Sequence, residues 1–264
     1  MIYNMDFLIS AMVILLLILW HFLGQKRAED LNNRVFLFFA VLGTADVVAE
    51  FFTNYYITSY NSDMENAAVI VTTIFYLLQA LLPVTFIFYI QTLHEQKIIS
   101  AKKMFISGVP TLVLISVILT NPFTEKLFSF DVTAGYVKGP WYLLMYVSAL
   151  GHFAVALLLI LLWRKKLGPQ KEKILLEIFV ISGVGVVLQM FCQSLLMTGF
   201  GMSLGILALF ITINNPNANL DSLTGLYNHL YLTRKMGELI ASGKSFHIIT
   251  VYLYQLKHIN RVAG

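Results

Sequence analysis

The chain has 264 residues, of which 58% are hydrophobic and only 12% charged, with a mean hydropathy of +0.75. Soluble domains carry about 25% charge, so a soluble fold is excluded and most of this apolar surface must face lipid. A net charge of +4 is too small to point to nucleic acid, and a lone cysteine, Cys192, excludes an internal disulfide or a thiolate metal cage.

A bilayer core about 30 Å thick calls for about 20 apolar residues per helix. Runs of that kind lie at Phe7–Leu23, Val35–Tyr56, Ala67–Leu93, Met104–Leu119, Trp141–Trp163, Ile174–Met197 and Gly199–Ile213. These predict an all-α polytopic membrane protein, a seven-helix transmembrane bundle occupying 1–213. The fourth and seventh runs are short. Thr198-Gly199-Phe200-Gly201 reads as the turn dividing the last two, and Cys192, in an apolar run, reads as a small buried thiol. No basic residue precedes the first run and no small-residue cleavage pattern follows it, so it reads as a span and not a leader.

Loop charge supplies an orientation. Gly24–Arg34, His94–Lys103 and Arg164–Lys173 together carry eleven basic residues, against two, Lys126 and Lys138, on the other side. By the positive-inside rule the N-terminus is outside and the C-terminus inside, which needs an odd number of spans.

Four polar residues within the spans are candidates for a ligand- or proton-sensing site: Asp46, Glu50, Gln79 and His152. Asp46 and Glu50 share one face of the second helix. Carboxylates at this depth cost roughly 2.5–3.5 kcal/mol each on insertion, so they should face the bundle or a watery cavity. Pro83 deprives the Gln79 carbonyl of its helical donor and should kink the third helix. The bland alternative is that all four only make interhelical hydrogen bonds. Glu177, beside the Lys run, is expected to snorkel to the interface. Gly201 and Gly205 fit a small-xxx-small helix contact. No lysine lies in a proposed span to carry a retinal Schiff base, and no second membrane aspartate or His-Glu-x-x-His helix is present for an intramembrane protease. The longest loop, 121–140, has two short β-prone segments around Thr133-Ala134-Gly135 that should pair as a hairpin.

Beyond Ile213 the composition turns polar. Residues 214–220 read as a linker, because Pro216 biases Asn215 away from helix. Then come Asp221, Leu223, Thr224, Gly225, Leu226 and Asn228. An amphipathic helix through Leu232, Met236, Leu239 and Ile240 follows, and then an apolar strand-like stretch, Phe246–Leu253.

The Asp-x-Leu-Thr-Gly-Leu-x-Asn motif and the elements after it resemble the start of a GGDEF domain, the catalytic domain of diguanylate cyclases. Lys257, Ile259, Asn260 and Gly264 also match the family pattern. Where that family carries the two aspartates of Asp-x-Asp, this chain has Tyr252 and Tyr254, and Arg261 replaces a third aspartate. The resemblance implies GTP and magnesium as the cofactors of a complete family domain only. Neutral phenols are poor ligands for a hard cation, and the Gly-Gly-Asp/Glu-Glu-Phe loop is not in the chain. Segment 221–264 is therefore expected to be a truncated, degenerate GGDEF domain without catalytic or metal-binding residues, making no cyclic di-GMP.

Seven spans with an outer N-terminus also resemble the membrane sensor modules of bacterial histidine kinases and diguanylate cyclases, and the 121–140 loop is similar to theirs. The resemblance implies a multi-pass sensor in the cell (plasma) membrane. Its expected partners are lipid, an unidentified small ligand and a second copy of the chain through the membrane or cytoplasmic segment, with no nucleic acid. The alternative is a small transporter or an ion- or proton-coupled channel working through Asp46 and Glu50.

Overall fold

A computed structural model of the chain describes residues 5–25, 31–95, 101–131, 133–213, 221, 223–224, 226–241, 243 and 245–251. The chain divides into two compact units, Met1–Pro216 and Asn217–Gly264. The first contains α1 (Asp6–Gly24), α2 (Leu31–Thr58), α3 (Glu65–Glu95) and α4 (Ala101–Thr124). A hairpin of β1 (Phe128–Asp131) and β2 (Gly135–Lys138) follows, and then α5 (Leu143–Leu167), α6 (Pro169–Phe191) and α7 (Met197–Thr212). The second contains α8 (His229–Ala241).

Polarity in the first unit is inverted relative to a soluble fold. Asp46, Glu50, Thr53, Asn54, Thr72, Thr85 and Gln91 are buried, while Trp20, Phe123, Leu162 and Phe191 are exposed. Lipid solvates those apolar faces as well as a protein core would, so burial is spent on packing and polar contacts. Among the described residues five helices, α1, α2, α3, α5 and α6, are long and apolar enough to cross a membrane, whereas α7 and the apolar part of α4, Gly108–Thr124, are shorter. The chain is a multi-pass membrane protein. Helix α3 is the hub, packing on α2, α4 and α5, while α7 packs on α1, α2 and α6. It continues through Pro83 without interruption.

Two boundaries differ from the sequence reading. The basic stretch Arg164–Lys173 is helical apart from Gly168, which has φ +78° and turns the chain alone between α5 and α6. Lysine and arginine are good helix formers and suit the last turn of α5, while Pro169 opens α6. Glu177 lies one turn from Lys173, with an Nζ–Oε1 distance of 3.8 Å in an exposed pair worth little.

The break between α6 and α7 falls at 192–196, upstream of the glycines expected to form it. Cys192 ends α6, a short 3-10 turn covers Gln193–Leu195, and Leu196 adopts the left-handed conformation at φ 49°. Cys192 is exposed and not buried, because it stands at a helix end. Thr198–Gly201 are already helical, and the glycines serve close packing. A Cβ on Gly201 would lie 3.2 Å from the Ile181 carbonyl oxygen, and one on Gly205 would lie 3.0 Å from Ile178 Cγ2.

The hairpin forms where the turn residues placed it, with Phe128 opposite Lys138 and Phe130 opposite Tyr136. Asp131 Oδ1 accepts hydrogen bonds from the Thr133 hydroxyl and the Thr133 and Ala134 amides. These bonds, led by the hydroxyl, hold the Asp131 carboxyl below its usual pKa. Leu127, Phe128 and Phe130 are buried against a cluster that includes Phe75, Tyr76 and Ile118, so the hairpin is part of the bundle's core.

In the second unit Asp221 Oδ1 accepts from the Leu223 and Thr224 amides and the Thr224 hydroxyl, and these bonds lower the Asp221 pKa. Asn228 Oδ1 accepts from the Tyr231 amide, capping α8. Leu223 and Leu226 are exposed. The apolar stretch expected as a strand carries no strand over 245–251, where Ile248, Ile249 and Val251 are exposed. A strand is defined by pairing, and among the described residues none pairs with it. Gly225, Lys257, Asn260, Tyr252 and Tyr254 lie outside the described residues.

Candidate functional site

The first unit holds a partly open cavity of about 190 Å³. Helices α2, α3, α5, α6 and α7 wall it, with Leu114 of α4 and Tyr136 and Lys138 of the hairpin also lining it. Asp46, Glu50, Gln79 and His152 all line it, so four residues singled out in three different helices face one space. The two carboxylates lie one turn apart, with Glu50 about 12 Å of helix from the hairpin end of α2 and Asp46 about 18 Å.

The polar groups divide into those that are satisfied and those that are not. His152 is satisfied. Its Nδ1 is 2.7 Å from the Ser148 carbonyl oxygen, which can only accept, so Nδ1 carries hydrogen. That leaves Nε2 to accept from the Thr111 hydroxyl at 2.9 Å. The ring therefore cross-links α4 to α5, a structural role that makes it the least available of the four. In contrast, Asp46 Oδ1, Thr53 Oγ1 and Thr72 Oγ1 are buried with no hydrogen-bond partner. All three residues line the cavity. Orphaned buried polar atoms cost about 1–3 kcal/mol each, so together they point to a group that the cavity receives.

Glu50 is tied to the helix break. Gln189 on α6 places Nε2 3.5 Å from Glu50 Oε1, a long contact, and its Oε1 accepts from the Thr198 amide at 2.7 Å. One amide thus caps α7 from a neighbouring helix while facing the carboxylate. Gly199 makes room for this arrangement, since a Cβ there would stand 3.1 Å from Glu50 Oε2. Gln189→Leu should cost about 1–2 kcal/mol, because it removes the cap and leaves a partly buried N–H unpaired. Thermal unfolding in detergent would measure it, and unchanged stability would show that the amide does not hold the helix end.

Sequence reasoning missed Gln189, Thr53, Thr72 and the tyrosines. A glutamine inside the apolar run of α6 was a signal of the same kind as Gln79. Threonines gave none, because in helices their hydroxyls usually bond the preceding turn, as Thr44, Thr73 and Thr85 do here. Tyr76 and Tyr136 meet hydroxyl to hydroxyl at 2.6 Å, joining α3 to the hairpin. Partial burial lowers the pKa of Lys138, whose Nζ lies 4.7 Å above the Tyr142 ring. Among the described residues no group of three or more His, Cys, Asp or Glu is placed to hold a metal ion.

Compared with known proteins, the chain matches no family, no curated protein and no solved structure.

Proposed function

We propose that this chain is a signal-sensing protein of the plasma membrane belonging to the diguanylate cyclase signalling family. In this reading α1–α7 make seven crossings with Met1 outside. The cavity receives an external or intramembrane signal, and α7 passes it to a cytoplasmic GGDEF-like segment without cyclase activity. The observation that carries it is the cavity lined in part by the hairpin, with Asp46 Oδ1 buried in its wall and unpartnered. Two carboxylates are a costly means of packing helices that serine or alanine would pack as well. The Asp221–Asn228 motif and the loop charges support the family and the orientation. Short crossings by α4 and α7 are compatible with local thinning of the bilayer.

The test is a chimera placing Met1–Leu220 ahead of an intact cyclase domain, with cyclic di-GMP measured from about pH 5.5 to 8. The wild type should respond, and Asp46→Asn and Glu50→Gln should fold yet lose the response. An identical response in wild type and both variants would overturn the sensing role. Proton uptake by proteoliposomes, lost in the same variants, would instead favour a proton-coupled transporter. For orientation, a reporter fused at Gly264 should be active only if it works in the cytoplasm, and an external signal would overturn the seven-span reading.

A further inference from the structure

Where the hairpin lines the cavity, the chemistry is the opposite of that at the carboxylates. Tyr136 and Lys138 stand two apart on β2, so they share one face of the strand, and both line the cavity. The Lys138 ammonium lies 4.7 Å from the centre of the Tyr142 ring, and the Tyr142 hydroxyl is 3.3 Å from that of Tyr146, one turn on. Tyr142 and Tyr146 line the same space. This side therefore offers a positive charge and hydroxyl donors, whereas Glu50 lies about 12 Å of helix from the hairpin end of α2. Tyr142 and Met145 pack on the cluster that contains Phe75 and Leu114, which also line the cavity and set an apolar surface beside the charged group.

We infer that this side of the cavity binds a small organic monocarboxylate, its head held between the Lys138 ammonium and the Tyr142 hydroxyl and its apolar body against Phe75, Leu114 and Met145. The hydroxyl stands at the edge of its ring, about 6 Å from the ammonium, and a carboxylate accepting a bond of about 2.8 Å at each oxygen bridges such a gap. With Tyr146 as donor in the hydroxyl pair, the Tyr142 hydrogen is turned toward the ligand. The ammonium is partly desolvated there, and a desolvated charge attracts an anion more strongly than a hydrated one. A cation would be repelled by Lys138. A dianion such as phosphate would meet one charge only, because Lys126, the other lysine of the loop, covers the Trp141 ring and is not among the residues lining the cavity. A cavity of about 150 Å³ already holds benzene, so about 190 Å³ admits a body of one ring or a short alkyl chain. The ligand class rests on the cavity being the signal site, and binding tests it separately from signalling.

The experiment uses the full chain in nanodiscs of zwitterionic lipid, with phenylacetate as the probe, 2-phenylethanol as its uncharged counterpart and empty nanodiscs as the blank for partitioning. Calorimetry should show saturable binding of phenylacetate and about tenfold or more weaker binding of the alcohol. Lys138→Met keeps the length of the side chain and removes its charge. It should weaken phenylacetate about tenfold or more and leave the alcohol unchanged. Lys126→Met, the control for general surface charge, should leave phenylacetate binding unchanged. Should Lys138→Met fail to fold, Tyr142→Phe removes only a hydroxyl and should weaken phenylacetate about threefold or more. No saturable binding by folded wild type, or equal affinity for the alcohol, overturns the inference. So does unchanged affinity in folded Lys138→Met or Tyr142→Phe, or an equal loss in Lys126→Met. Phenylacetate binding that leaves the chimera's output unchanged supports the ligand class and counts against the sensor. A chimera that responds to pH without phenylacetate binding overturns the ligand class alone.

Discussion

Gly139→Ala should destabilise the bundle by about 3 kcal/mol, the upper end for overpacking, because the clash is with backbone. An added Cβ would stand 2.2 Å from the Lys126 carbonyl oxygen and 2.6 Å from that of Glu125, and no rotamer change relieves either contact. Those two chain segments are laced at the same point. The Gly139 amide donates to the Leu127 carbonyl at 2.9 Å and the Trp141 amide donates to Lys126 at 2.8 Å. Gly135 in the same hairpin is the control. It has φ +69° with open space around it, so alanine there costs only the left-handed penalty of about 1–2 kcal/mol. Thermal unfolding of the chain in detergent should rank Gly139→Ala as the more damaging. The reverse order would mean that the hairpin base is not closed in this way.

Asn121→Ala should cost about 3 kcal/mol or more. Its buried side chain serves three backbone groups at the start of the hairpin. Oδ1 accepts from the Leu127 and Phe128 amides at 2.7 and 3.3 Å, and Nδ2 donates to the Phe128 carbonyl at 2.9 Å. With alanine all three stay buried and unpaired, at about 1–3 kcal/mol each. Thr124→Ala, one turn away and exposed, should fall within about 0.5 kcal/mol of wild type. A loss no larger than that for Asn121→Ala would show that water takes over the side chain's role.

Some of this was legible in the sequence and some was not, for identifiable reasons. The inward face of α2 was legible because a carboxylate cannot face lipid, and Asp46 and Glu50 lie one turn apart. The hairpin was legible because Thr133-Ala134-Gly135 supplies a residue free to adopt positive φ. The α6–α7 break was misplaced because glycine signals two different things. It permits unusual φ, and it permits close approach, and only the second operates at Gly201 and Gly205. The actual break uses Leu196, a residue no turn rule favours, held by tertiary packing at 3% exposure. The basic stretch after Trp163 looked like a loop from polarity alone, although its residues favour helix. Gln189 was overlooked because its role depends on a neighbour, Thr198, whose amide is freed only by a break placed elsewhere.

That glutamine sets a direction. Its amide has one donating end and one accepting end, and the Thr198 amide can only donate, so the nitrogen is left pointing at Glu50. Turning the side chain over would break both contacts at once. The start of α7 is thus a pivot joined to the carboxylate by a single rigid plane. The helix beyond it has 16 residues and is about 24 Å long. A tilt of about 5° at the pivot carries its far end, at Thr212, about 2 Å sideways.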